Sequence, residues 1–597
     1  MEETKIRKPR LTPAEYLAAF REGGKNIVGT FIWGHKNSFV IPDDERLPKS
    51  MDVAKISNRG ESVIAAQISG QKVVAKFHEQ NPDLINIVEV LGDPNRVGTD
   101  VLAIIRAYNL YEEFPETVLA EARKVAKIDP AVVAKREDLR DGILVTIDPE
   151  DAKDLDDAVS LTRIDDATFE LGVHIADVSQ YVTEGSALDE EAFLRGTSVY
   201  FPGGVLPMLP EQLSNNICSL NPNVDRLALS CFMTIDRAGH VIKSRIAETV
   251  IKTAQRFSYK AVQDILDKKD KGPNKKIVDM LFDMAELTKT LEKLRKKRGE
   301  VILNIPEPKI ILDKETGKIV DVIAYPHWLA HRIVETFMIL CNETIAQYAV
   351  EHALPFVYRI HEKPDALKVN RLIDMLKPFG VQHNIRPDHP NGLDYQRMLE
   401  KTNPDLLPVV SQLSLRSMQK AKYATQCIGH FGLGSKFYCH FTSPIRRLPD
   451  LVIHRILKMV LNKQTNSHKL IELADFCTRA ADQSSKTELT ATEVEREVDN
   501  LKRAEYMSDH IGDKFSGVVS GVTDFGIFVY LPNTVEGLVK MDNLPRDNEK
   551  EFYTYNEKTA TLSSKKRTIK MGDKIDVVCV GVNMARHQVE FAAMPKH

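Results

Sequence analysis

The chain has 597 residues, of which 81 are basic and 84 acidic, for a formal net charge of −3. At roughly 150 residues per domain that length predicts about four domains, and so even a charge balance excludes a polybasic coat protein, leaving any nucleic-acid site as a local patch. Hydrophobic residues make up 43% and charged residues 28%, a globular profile that excludes disorder and collagen-like repeats.

The longest apolar runs, such as Gly142 to Ile147, fall far short of the ~20 residues that cross a bilayer. The N-terminal MEETKIRKPR has no apolar stretch behind it and reads as neither a signal nor a transit peptide. Seven scattered cysteines without a C-x-x-C pair predict a reducing compartment, with no disulfide framework and no structural zinc. A soluble cytoplasmic protein is expected.

In chain order, residues 1–25 read as a polar arm with a short amphipathic helix, Pro13 to Arg21, placing Tyr16, Leu17 and Phe20 on one side. Over 26–95 the period shortens: GTFIWGHKNSFVIPDD alternates apolar and polar residues, which predicts a compact β-barrel. Residues 96–135 read as helical, interrupted at Pro115. The block 136–464 mixes strands (GILVTI, LGVHIADVSQYV, LALSCFMTID) with long amphipathic helices. One of these, Lys276 to Lys297, carries lysines expected to face solvent, with RNA contact as the lesser reading. A charged helical stretch follows over 465–510, and 511–597 returns to strands with glycine turns. The fold class is multidomain α+β, with a β-barrel, a large mixed body and a second β-barrel.

Two segments carry chemistry. In TIDPEDAKDLDDAV an apolar strand ends at Ile147 and delivers six acidic residues between Asp148 and Asp157. Carboxylates so crowded repel one another unless a cation sits among them. A solvated acidic loop is the bland alternative. A calcium EF-hand is disfavoured, because Lys153 stands where its glycine belongs. A strand-end set of aspartates suits Mg²⁺, with Mn²⁺ as the substitute. In HFTSPIRRLPDLVIHR, Ser443-Pro444 predicts a turn with a helix starting at the proline, and Arg446 and Arg447 in its first turn. Such arginines either solvate a helix start or grip a phosphate. Metal-binding carboxylates and a phosphate-gripping arginine are complementary needs of phosphodiester hydrolysis.

These segments, together with RGTSVYFPGGVLPMLPEQLSNNICSLNPNVDR, YRIHEKP and GHFGLG, resemble the ribonuclease II / ribonuclease R (RNB) family of 3′-to-5′ exoribonucleases. The resemblance covers roughly residues 26–597. It implies a cold-shock-type OB domain at the front, an RNB catalytic domain with a helical extension, and an S1 RNA-binding domain at the back. It implies Mg²⁺ held by Asp148, Asp154, Asp156 and Asp157, with Asp156 and Asp157 catalytic and Arg446 on the scissile phosphate. It further implies Tyr200 stacked on the terminal base, Tyr259 and Glu495 reading ribose 2′-hydroxyls, and Glu335 near the last nucleotides. In the back domain Phe525 and Phe528, with Phe515, are candidate stacking platforms or core residues, and Lys540 a candidate contact.

The chain departs from the family at several points. Leu303 stands where the family offers a phenylalanine that clamps the last base, and Lys540 where the back domain often has a histidine. A single front barrel fits before Asp148, where relatives commonly have two. The implied partner is single-stranded RNA, without membrane, for a monomer. His327, His331 and Glu335 at four-residue spacing could in principle share a zinc, but without HExxH they read as structural. The expected function is an Mg-dependent hydrolytic exoribonuclease releasing nucleoside 5′-monophosphates processively. The alternative is a non-catalytic RNA-binding adaptor, disfavoured because all four aspartates and the arginine are present.

Overall fold

The computed structural model describes residues 12–34, 37–54, 65–313, 315–404, 406–545, 552–557 and 559–594. The helix Pro13–Glu22 begins with a capping box, in which the Thr12 hydroxyl and the Glu15 carboxylate satisfy each other's backbone amides. Its Phe20 is buried in the front barrel, with Tyr16 and Leu17 beside it. That barrel is one five-stranded sheet, in the order Met51–Asp52, Phe39–Pro42, Ile27–Ile32, Lys72–Phe77, Ile85–Gly92. A parallel bridge between Val53 and Ile85 brings its edges together. The helical stretch is interrupted as expected: the helix Thr99–Ala107 ends before Pro115, which is the N-cap of Glu116–Val125, where its missing N–H costs nothing.

The body is built on a seven-stranded sheet in the order Gln255–Ser258, Val145–Asp148, Asp157–Asp165, Thr168–Ala176, Asp225–Asp236, Val241–Lys252, Glu137–Asp138. Strands at its centre are buried on nearly every residue, which is why they read as continuous apolar runs. The run LGVHIADVSQYV is not all strand: pairing stops at Ala176 and a 3₁₀ turn covers Val178–Gln180. The cause is Asp177, wholly buried, whose carboxylate accepts from Ser179, Arg136 and Lys458. The helices Lys275–Arg298 and Leu329–Glu351 lay apolar stripes on this core. Several of the basic residues on the first of them are paired, Lys275 with Asp279, Lys296 with Glu400 and Arg298 with Glu343.

A 42-residue helix, Ser467–Ser508, runs from the body to the back barrel and touches the linker helix Thr99–Ala107 on the way. The back barrel closes in the order Lys514–Thr523, Gly526–Tyr530, Glu536–Lys540, Gln588–Ala593, Lys574–Asn583. Its core is continuous with that of the helices Ala366–Leu376, Gly392–Lys401 and Leu407–Ser417. Gly526 makes its first hairpin possible: φ is +153°, and a Cβ there would sit 2.2 Å from the Val539 carbonyl oxygen. Among the described residues no helix is long and apolar enough to cross a membrane.

Candidate active site

Sheet register brings the acidic residues to one edge. Val145–Asp148 runs parallel to Gln255–Ser258, with Asp148 opposite Ser258. Asp157 opens the antiparallel strand on its other side, where Val159 pairs with Val145. Tyr259 follows Ser258 as the first residue of a helix that the Ser258 hydroxyl caps. Asp148, Asp157 and Tyr259 therefore share one end of three adjacent strands.

The loop between the two aspartate strands is held from below. Ser219 Oγ accepts the Leu155 amide at 3.1 Å and donates to the Lys153 carbonyl at 2.6 Å. Arg226 anchors the segment beneath through the Ser219 and Asn216 carbonyls, and Arg256 ties down the Glu150 and Ala152 carbonyls. Asp156, only 4% exposed, accepts the Ile445 amide at 2.9 Å and lies 3.8 Å from Arg446 Nε. Asp154 accepts a 2.5 Å hydrogen bond from the Tyr200 hydroxyl.

The expected helix start at Pro444 is corrected. The helix runs Leu448–Leu461, with Arg447 as N-cap and Pro449 in the first turn. Arg446 lies in the preceding turn. The wholly buried Asp450 causes this by accepting both the Ser443 amide and the Arg447 guanidinium at 2.8 Å. The turn so held aims its Ile445 amide at Asp156. On its far side the Arg446 carbonyl accepts the Ser198 amide and the Thr197 hydroxyl, which fixes Tyr200 beside it.

Electrostatics follow from burial of like charges. Burial, then Asp157 and Asp154, push Asp148 up to about 8, with Arg256 opposing. Burial raises Asp157 to about 6 against the pull of Arg446 and Arg447. Asp156 is raised mainly by burial. Asp148 Oδ2 is buried without a hydrogen-bond partner in the structure. Among the described residues no three acidic, histidine or cysteine side chains converge into a closed metal cage. An oxygen-only donor set with an orphaned carboxylate oxygen is compatible with a hard cation that keeps most of its waters.

The remaining sequence candidates divide. Tyr200 is 38% exposed beside the aspartates, and Glu495 accepts its backbone amide at 3.0 Å, so that carboxylate holds the tyrosine in place. Tyr259 stacks on His331. Glu335 is exposed and lies 3.5 Å from His327. His327 precedes the helix and is largely exposed, while His331 Nδ1 accepts the Trp328 amide and so caps the helix. Leu303 is half-buried against the second core, and its neighbours' amides are held by Gln396 and Ser411. In the back barrel Phe525 is 51% exposed at the hairpin tip, edge-on to Phe528. Phe515 packs toward Phe591 and the core, and Lys540 is paired with Glu590 at 2.6 Å. Sequence reasoning missed Ser219, Arg226, Arg256 and Asp450. The signal for Asp450 was its place three residues after Arg447; Ser219 and Arg226 lay inside a quoted motif without a role.

Family models match the chain in three places: an RNB domain over residues 136–463, an S1 RNA binding domain over 508–593 and a cold shock domain over 39–115. Ribonuclease R of Thermotoga maritima is 39% identical over 598 residues, covering 96% of this chain and 81% of that one. Ribonuclease R 1 of Lactococcus lactis is 41% identical over 520 residues, covering 85% of this chain but 62% of its own length. Mycoplasma genitalium RNase R, solved in complex with ribose methylated single-stranded RNA, superposes with a TM-score of 0.88 at 29% identity, over 96% of this chain and 90% of that one. Yeast Ssd1, a pseudonuclease, shares the fold with a TM-score of 0.69 at 20% identity, over 91% of this chain and 67% of that one. Because the RNB model spans the aspartate strands and the Arg446 turn alike, and relatives match through both flanking barrels, the chain belongs to the ribonuclease II / ribonuclease R (RNB) family.

Proposed function

We propose that the chain is a divalent-metal-dependent hydrolytic exoribonuclease. It shortens single-stranded RNA from the 3′ end, processively, and releases nucleoside 5′-monophosphates. The observation that carries this reading is the set of four aspartates at one sheet edge, with Arg446 3.8 Å from the buried Asp156. The fold alone would not carry it, since a pseudonuclease shares that fold. A retired enzyme kept as an RNA-binding adaptor has no reason to retain four mutually repelling, partly buried carboxylates.

Asp148, Asp154, Asp156 and Asp157 would hold Mg²⁺ or Mn²⁺. When bound, such an ion supplies charge neutralisation for phosphate oxygens and acidifies water. The rest falls to the chain's own groups. Arg446 grips a non-bridging phosphate oxygen and stabilises the charge that builds there. Tyr200 offers a ring face to the terminal base. Tyr259 and Glu495 would read the ribose, as the family resemblance implies, and a site that hydrogen-bonds a hydroxyl rejects the sugar lacking it. Phe525 supplies a stacking surface for bases farther upstream.

The test is a 5′-labelled single-stranded RNA incubated with the protein and Mg²⁺ and followed on a gel. A ladder shrinking from the 3′ end, abolished by chelation and restored by Mg²⁺ or Mn²⁺, is the expected result. Binding without shortening under every metal condition establishes the adaptor reading instead.

A further inference from the structure

On the aspartate edge the Tyr259 ring stacks on a neighbour from outside the sheet. This tyrosine begins the helix Tyr259–Leu266, directly after the residue that pairs with Asp148. The His331 ring lies face to face with it, with centroids 3.9 Å apart and planes 20° from parallel. His331 is itself fixed on three sides. Its Nδ1 accepts the Trp328 amide at 3.1 Å, capping the helix Leu329–Glu351. Its Nε2 lies 3.4 Å from the Tyr325 hydroxyl, and Tyr325 meets the ring edge-on at 5.4 Å. Lys309 closes the row with its ammonium 5.4 Å from the Tyr325 ring centre. The two helices that carry the stacked pair are also tied by the Ala330 amide, which donates to Gln263 at 3.4 Å.

We infer that His331 is a positioning residue for sugar discrimination: its ring holds Tyr259 at the angle from which the Tyr259 hydroxyl meets a ribose 2′-hydroxyl. The inference rests on the reading of this chain as an exoribonuclease with Tyr259 facing the substrate sugar. The physical reasoning is short. A tyrosine side chain turns about two bonds, and only a fixed ring converts a hydroxyl into a selective contact, because a mobile one accommodates RNA and DNA alike. Stacking on a ring anchored by its own backbone hydrogen bond supplies that fixity. Burial holds His331 neutral, with its pKa lowered to about 4, so the stack does not carry a positive charge toward the substrate at neutral pH.

Two substitutions separate stacking from capping. His331→Gln keeps an acceptor within reach of the Trp328 amide and removes the ring; His331→Phe keeps a ring and removes the acceptor. Single-turnover cleavage of matched RNA and DNA oligonucleotides is measured for both, for wild type and for Tyr259→Ala, with melting temperatures on the same preparations. The expected pattern is that His331→Gln and Tyr259→Ala lower the RNA-to-DNA rate ratio by about tenfold or more, while His331→Phe stays close to wild type. If Tyr259→Ala lowers the ratio and His331→Gln does not, Tyr259 acts alone and the inference fails while the sugar-reading role stands. If Tyr259→Ala leaves the ratio unchanged, both fall together. If His331→Phe loses as much discrimination as His331→Gln, or if both variants lose RNA and DNA cleavage equally in step with melting, His331 is a helix cap only and the inference is overturned.

Discussion

Asp156 concentrates the electrostatic problem of this protein in one carboxylate. It is buried, its proton affinity is raised by that burial, and it is offset by Arg446 and the Ile445 amide. Asp156→Asn retains a carbonyl for the Ile445 amide but removes the charge. Because a buried like charge is relieved, metal-free melting should be unchanged or higher. RNA binding should stay near wild type, while single-turnover cleavage should fall by at least about a hundredfold, since only transition-state stabilisation is lost. Melting, binding and cleavage measured together test this, and a proportionate fall in all three would make Asp156 structural. In the back barrel Phe525 is the exposed aromatic of the hairpin tip, next to Gly526. Phe525→Ala should weaken RNA binding by roughly 1–3 kcal/mol, the worth of one base stack, and leave cleavage at saturating RNA intact. Unchanged affinity would place the RNA elsewhere on the barrel.

Single residues act here through the elements that present them. The aspartate loop rests on the segment after the π-helical turn Gln212–Ile217, where wholly buried Ser219 bridges the Leu155 amide and the Lys153 carbonyl. Ser219→Ala leaves the buried Leu155 amide without that partner and should cost about 1–3 kcal/mol in chemical denaturation. It should also slow cleavage, because Asp154 and Asp156 flank Leu155, though Ser219 meets no substrate. Full stability in that variant would show that the loop is held by Arg226 and Arg256 alone. The Arg446 turn follows the same logic from the other side. Two proline positions competed to start its helix, and Pro449 prevailed because Asp450 takes the Ser443 amide and the Arg447 guanidinium. That choice leaves Arg446 outside the helix, facing the sheet edge.

Across the whole molecule, polar groups inside the cores set the response to pH. Burial lowers His174 and His430 to about 3, His331 and His454 to about 4, and His440 well below its ordinary value. His174 is bonded to Ser160 and Ser230, and His454 to the Phe441 carbonyl. An unfolded histidine titrates near ~6.5, so below that pH the unfolded chain binds protons the native chain refuses. Stability from these groups is complete above the unfolded value and is lost as pH falls toward the folded ones. Buried and half-buried acids with raised values, Asp148, Asp156, Asp157 and Glu505 among them, work in the opposite sense. Removing one of the buried histidines, as in His454→Gln, should therefore make the change in denaturation midpoint from pH 7 to pH 5 less negative than in the wild type, and an unchanged difference would refute the assignment. The back barrel shares its core with the helices of the body, so its removal would bare apolar surface, and point substitutions such as Phe525→Ala report its role more cleanly.

Much of this was legible in the residues. Apolar alternation marked the two barrels, continuous apolar runs marked the central strands, and the crowding of acids after Ile147 marked the aspartate edge, because periodicity and like-charge density are local properties of a chain. The family resemblance made the departure at Leu303 visible and offered Phe525 as a stacking candidate, while its place at a hairpin tip came from the structure. What the chain could not declare was anything set by partners distant in sequence. Asp177 ends a strand only because Arg136 and Lys458 reach it. Glu495 is committed to the Tyr200 amide from 295 residues away, and Tyr259 gains its orientation from His331 on a separate helix. The pKa of Asp148 near 8 depends on burial and on Asp157 arriving from the next strand. Local pattern selects which elements form, whereas the charges, angles and hydrogen bonds at the site are sums over neighbours that exist only once the sheet is assembled.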